Sequence, residues 1–315
     1  MKNKEPLILA VVIFFTLVTY YLVEPFAHSQ MHKHYESKGF KYADLPVITK
    51  TGNATHGKDL VTGAAACTGC HSIKKEGFPA TMDATAAAAS YGVNPPDLSN
   101  AGAVYDANFL NNLIRNPAHA LMVEHKFDAS KGQMHPMPPF YGAGGDMDQE
   151  VADIVAYLQS IAPKAKDLTP KQAYETACGR CHANHYASWS QIGETPKFKY
   201  KKDELAHKIK LLEYQDSLKA YMGKLPPDLS IYIRSRGEHY IKTFVENPQQ
   251  YLKGTAMPRV GVNAQAADKV IEYLEDSGDA KRHERESVGK NVMIYIVIFA
   301  IFALLWKKQI WRDLH

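Results

Sequence analysis

Four cysteines stand in this chain, and they fall into two pairs, Cys67/Cys70 and Cys178/Cys181. A histidine follows each pair at once, giving Cys67-Thr68-Gly69-Cys70-His71 and Cys178-Gly179-Arg180-Cys181-His182. Two thiols three residues apart on one helical turn reach the two vinyl groups of a single porphyrin. The next residue then turns its imidazole toward the iron. C-x-x-C-H at this spacing is read as covalent attachment of haem c, so two covalently bound haem c groups are expected, with His71 and His182 as iron ligands.

Two other chemistries use paired cysteines. A thioredoxin-type C-x-x-C needs a surrounding βαβ pattern, and none is visible. A zinc site built from both cysteine pairs would have to join motifs roughly a hundred residues apart, far beyond zinc-ribbon spacing. No cysteine is left over for a structural disulfide.

A sixth iron ligand must come from elsewhere in each half, and a thioether there raises the reduction potential and suits electron transfer. Gly254-Thr255-Ala256-Met257-Pro258 offers Met257 in a turn-rich loop; Met222, the other methionine of that half, lies before a PPDLS segment. The first half offers Gln133-Met134-His135-Pro136-Met137-Pro138-Pro139, where Met137 matches Met257 in order and in its following proline, and Met134 and His135 compete with it. Of the other histidines, His119, His125 and His239 read as surface or packing residues, and His185 is close enough to the second motif to be a rival ligand. Phe140, Tyr141, Tyr186 and Trp189 read equally as haem walls or as ordinary core.

The elements that must position these groups recur. Each half runs C-x-x-C-H, PPDLS, an amphipathic segment ending in Asn-Pro, Met-Pro, and a helix ending in Tyr-Leu. NPPDLSNAGAVYDANFLNNLIRNP from Asn94 aligns without a gap on LPPDLSIYIRSRGEHYIKTFVENP from Leu225. Phe109, Leu110, Leu113 and Ile114 then match Tyr240, Ile241, Phe244 and Val245, a spacing that lies on one helical face. Pro117 and Pro248 stop the helix. The spacing predicts two α-helical domains, 40–163 and 164–280, with Ala162-Pro163-Lys164-Ala165-Lys166 as linker. Residues 183–225 hold an insertion peculiar to the second half. It carries Lys197, Lys199, Lys201 and Lys202 and a helical pattern at Leu211, Leu212, Tyr214 and Leu218. It reads as a solvated helical excursion over a haem edge, or as a docking surface.

At each end lies a nearly pure hydrocarbon stretch, Pro6 to Val23 and Asn291 to Trp306. At about 1.5 Å per residue each approaches the thickness of a bilayer core, and Ile310 and Trp311 extend the second past snorkelling lysines. No A-x-A cleavage site follows Val23. Retained anchors are therefore expected in 1–39 and 281–315. Lys2, Lys4, Lys307, Lys308 and Arg312 place both termini on the cytoplasmic side, although Lys281, Arg282, Arg285 and Lys290 precede the second span. The 315 residues, 45% of them hydrophobic, suit two globular domains between the anchors, and a net charge of only +4 gives no basis for nucleic-acid binding. The expected fold is all-α, two tandem class I cytochrome c domains with one transmembrane helix at each end.

The stretch LPPDLSIYIRSRG, residues 225–237, closely resembles the haem-contacting segment of cytochrome c1, the c-type subunit of the bc1 complex. That family also has a single C-terminal anchor. The resemblance is specific for 178–315 and implies ligation by His182 and Met257. It also implies that Arg234 or Arg236 lies against the haem propionates, where a rigid guanidinium fork suits carboxylates. Ordinary cytochrome c1 has one haem and no N-terminal anchor, so the added module resembles the dihaem cytochrome c1 of some bacteria, notably the epsilonproteobacterial type; residues 57–160 resemble class I cytochrome c in general. What this implies is an electron-transfer subunit, not catalytic alone, in a bacterial inner membrane with its haem domains in the periplasm. It would take electrons from a Rieske iron–sulfur protein beside cytochrome b and pass them to a c-type cytochrome acceptor. A dihaem subunit of a haem–copper oxidase, which would not need the C-terminal helix or PPDLS-x-x-x-R-x-R, and a haem-based sensor, which would want an open sixth position, are the alternatives.

Overall fold

The structure of the chain, a computed structural model, describes residues 4–31, 42–47 and 49–312. Most of the expected connector, Lys2 and the last three residues lie outside the described residues. The chain is mostly helical; the strands described are the two-residue pair Trp189–Ser190 and Gly193–Glu194.

In the first half the helix Ala54–Thr62 crosses the helix Met147–Ile161 at a glycine. A Cβ on Gly57 would fall 1.9 Å from the Asp153 carbonyl oxygen, so only a residue without a side chain allows this approach. Leu60, Val61, Ile154, Tyr157 and Leu158 fill the crossing together with Ile73, each such side chain contributing about 1.5–3 kcal/mol on burial. Asp153 is the polar latch. It accepts from the Asn53 N–H at 2.6 Å, from His56 Nδ1 at 2.7 Å and from Gln149 Nε2 at 2.9 Å. The helix Ala107–Arg115 starts at Asp106, whose carboxylate accepts from the Phe109 N–H, and gives way at Asn116-Pro117 to the short helix Pro117–Ala120.

The second half repeats these elements. Glu238–Glu246 has the nine-residue length of Ala107–Arg115, and Ala264–Gly278 the fifteen of Met147–Ile161. Asn247 before Pro248 adopts the backbone of Asn116, φ −149° and ψ 82° against −150° and 85°. Pro170–Ala177, opened by a Thr169/Gln172 capping box, packs on Ala264–Gly278 through Tyr174 stacked on Tyr273 at 4.6 Å.

The two halves share one core. Val104, Tyr105, Leu110 and Val155 pack with Leu168, Tyr174, Val262, Val270 and Leu274 in a single cluster. The Asp106 N–H donates to the Gly261 carbonyl at 2.9 Å, and the Asn263 N–H to that of Val104 at 3.0 Å. Gly261 lies so close to the Phe109 ring that a Cβ would fall 2.0 Å from it. The sequence repeat divides at 163/164, but the hydrophobic core runs across that division. The insertion strengthens the join. It forms the 22-residue helix Lys201–Met222, whose Tyr214, Leu218 and Met222 are buried with Ala88 of the helix Ala84–Tyr91. The excursion expected to be solvated is thus solvated on one face and clamps the first half with the other.

Glu5–Ala27 and Arg282–Arg312 are long and apolar enough to cross a membrane, and neither apolar stretch has a buried residue. Glu5 and Lys307, from opposite ends of the chain, pair at 2.9 Å.

Candidate haem-attachment sites

Both C-x-x-C-H segments fold as one tight turn. The His71 N–H donates to the Cys67 carbonyl at 2.9 Å, and the His182 N–H to that of Cys178 at 2.9 Å. No disulfide joins any of the four cysteines. In the first motif the turn enters through Ala66 in the left-handed region, φ 48°. In the second, the Tyr174 hydroxyl donates to the His182 carbonyl at 3.0 Å and Trp189 Nε1–H to that of Gly179 at 2.8 Å.

The imidazoles are set by the PPDLS segments. His71 Nδ1 lies 2.9 Å from the Pro96 carbonyl oxygen, and His182 Nδ1 lies 2.8 Å from that of Pro227. A carbonyl oxygen only accepts, so Nδ1 carries the proton and Nε2 keeps its lone pair for a metal. Burial pushes both imidazoles below the usual histidine pKa, with the proline carbonyls opposing. The neutral ring required of a ligand is therefore the form present at neutral pH.

The remaining PPDLS residues lock that carbonyl in place, in the same way twice. The Leu98 N–H donates to Ser72 O at 2.8 Å and the Leu229 N–H to Ala183 O at 2.9 Å. Asp97 accepts from the Ser99 N–H and Asp228 from the Ser230 N–H. Ser99 Oγ accepts from the Lys75 N–H and Ser230 Oγ from the Tyr186 N–H, both at 3.1 Å. The sequence displays the repeated motif but not this task, because the bonds close over 25 residues in one half and 45 in the other.

The candidate sixth ligands differ in their surroundings. Met134 is 61% exposed. His135 has Nδ1 within 3.0 Å of the Met137 carbonyl and Nε2 within 3.3 Å of the Tyr221 hydroxyl, with its ring edge-on to Phe127. Both ring nitrogens are thus engaged. Met137 and Met257 are partly buried, and the backbone of Met257 is tied by Thr255 and Gln249. Met222 is core packing. His185 is exposed and pairs with Asp228 at 3.0 Å.

Arg234 is 59% exposed and faces Asp279 at 3.9 Å; Arg236, also exposed, stacks over the Tyr240 ring. Tyr141 and Tyr186 stand on the surface, whereas Phe140 and Trp189 pack against the cores. Sequence reasoning passed over Arg180, inside the second motif, whose buried Nε atom has no partner.

The donor set fits haem c: two thiols, a neutral imidazole and a free Nε2, in each half. It does not fit redox cycling of the cysteines, which depends on a lowered thiol pKa. Burial instead pushes Cys67 up to about 11 and Cys178 up to about 12. Among the described residues no three His, Cys, Asp or Glu side chains converge as a metal site of their own, so a zinc centre made of the two cysteine pairs lacks its ligands.

Residues 54–162 match the family model described as cytochrome c. That stretch contains Cys67, Cys70, His71 and Met137, and it defines the class: a cytochrome c domain, which implies covalently bound haem c and electron transfer. No curated protein matches the chain. Among solved structures, a chain of a "Hyperthermophilic respiratory Complex III" is similar over 48% of this chain and 76% of its own, with 21% identity and a TM-score of 0.36. A TM-score that low carries no weight for the fold.

Proposed function

We propose that this chain is a dihaem cytochrome of the cytochrome c1 type, anchored at both ends in a bacterial inner membrane. In this reading it takes electrons from a Rieske iron–sulfur protein beside cytochrome b and passes them to a c-type cytochrome. The observation that carries the two-haem reading is the repetition of one ligand-orienting bond, His71 Nδ1 to Pro96 and His182 Nδ1 to Pro227. A second class I cytochrome c domain, 164–280, follows from it.

Cys67 and Cys70 would hold the first haem, with His71 and Met137 on its iron. Cys178 and Cys181 would hold the second, with His182 and Met257. The exposure of Met134 and the engaged ring of His135 support Met137 over its neighbours. Haem c supplies one-electron chemistry when bound. The chain's residues would attach it, set the imidazole tautomer, bury His182 and half-bury His71, and orient the two sites within one core. The cytochrome c1 assignment rests on the LPPDLSIYIRSRG resemblance and on the C-terminal apolar helix. Arg234 and Arg236 would meet the second haem's propionates only after leaving Asp279 and Tyr240.

Purification of the complex from native membranes in mild detergent tests the assignment. Cytochrome b and a Rieske protein should co-purify with the chain. A haem–copper oxidase core in their place would contradict it.

A further inference from the structure

Arg180 sits between the cysteines of the second motif, yet its side chain is taken up by the first half of the molecule. One terminal nitrogen donates to the Asn94 carbonyl at 3.3 Å. Its own carbonyl accepts from the Tyr214 hydroxyl of the inserted helix at 2.6 Å. Its Nε is buried without a partner.

The ionisable side chains close enough for their charge to act on the guanidinium include Tyr105, Cys181, Tyr214 and Tyr221. Burial raises the three phenols above their usual values, so they are neutral at neutral pH. Among the described residues no carboxylate pairs with Arg180. An arginine cannot shed its proton, and a half-buried cation whose Nε is shut away from water with neither counter-ion nor full hydrogen bonding is costly. A planar fork of donors, one still empty, is matched to a carboxylate. The carboxylates that a c-type haem brings are its propionates.

The side chain also points to which haem. Asn94 directly precedes Pro95-Pro96, and the Pro96 carbonyl holds His71. Tyr105 belongs to the first half as well. We propose that Arg180 is a propionate anchor for the haem attached at Cys67 and Cys70, so that the second motif supplies a binding group to the first site. A cation so placed favours the reduced form and raises the first haem's potential. It also joins the two haem sites through one side chain.

The proposal rests on the two-haem reading, and the test separates the two. R180Q and R180K are made in the full-length holoprotein, and covalent haem is counted first. One haem per chain in the wild type would fail the reading itself. With two haems present, each is titrated spectroelectrochemically, the first being identified by its response to Met137→Ala. R180Q should shift the first haem to lower potential and leave the second nearly in place, while R180K restores most of the loss. Unchanged potentials, or a shift confined to the second haem, would overturn the proposal. If R180Q fails to mature, R180K carries the test, since it keeps the charge but not the fork. The propionate bending band of the first haem in the resonance Raman spectrum should move in R180K. An unmoved band would overturn the proposal.

Discussion

A proton held on Nδ1 decides what a candidate haem-binding histidine can do, and a proline carbonyl lies 2.9 Å from Nδ1 of His71 and 2.8 Å from Nδ1 of His182. The opposite nitrogen is left for a metal, and in the two-haem reading proposed above the thioether partner is the open variable. Met137→Ala and Met257→Ala should each convert one haem to a high-spin or lower-potential form, because a sulfur ligand raises the potential. Met134→Ala should leave both spectra unchanged, its side chain being exposed. Optical spectra and redox titration of the three variants check this, and an unchanged spectrum in Met257→Ala would move that ligand elsewhere. The candidate attaching residues were legible in the sequence because the proposed attachment is local, two thiols and an imidazole within five positions. The environment of Arg180 was not legible: its contact with Asn94 spans 86 residues, and nothing in the Cys-Gly-Arg-Cys-His string reports a neighbour that distant.

Helices bring those residues together, and the crossing of Ala54–Thr62 with Met147–Ile161 is the tightest joint among them. Gly57→Ala would drive a methyl group into the Asp153 carbonyl, so the helices must part at a cost of about 1–3 kcal/mol. Thermal unfolding of the full-length holoprotein should show a lower Tm; an unchanged Tm would mean the crossing is looser than it stands here. The same joint has a pH dependence. The hydrogen bond to Asp153 raises the His56 pKa above its ordinary 6.5, against a smaller opposing effect of desolvation. Burial acts to raise Asp153, yet the bonds from His56, Asn53 and Gln149 hold it below its ordinary 3.8. A raised histidine pKa stabilises the fold fully below 6.5, and that contribution is lost as pH rises through the raised value. The Tm difference between wild type and His56→Gln should therefore be larger below pH 6.5 than well above it, and a difference that grows with rising pH would contradict the latch. The repeat of elements was legible from apolar spacing and the Asn-Pro stops. The shared core was not, because periodicity marks a buried face without naming its partner. Val104 and Val262 give no sign in sequence that they meet across the repeat, and Tyr214 and Leu218 only that they share a face.

Across the whole molecule, two apolar helices flank one helical body, and the Glu5–Lys307 pair brings opposite ends of the chain to one level. Tags fused at the two termini should therefore be protected together from protease added to intact spheroplasts, and cleavage of one alone would break that arrangement. Within the body, the family match covers only 54–162, while the geometry of the histidine, its proline carbonyl and the PPDLS lock occurs again around His182. The direct test of that equivalence is the mass of the intact, denatured chain purified from a host with c-type haem maturation. A mass equal to the polypeptide plus two covalently bound haems is expected, falling to one on replacing Cys178 and Cys181 by alanine. A wild-type chain that carries a single haem would contradict the reading of the second motif as a haem site.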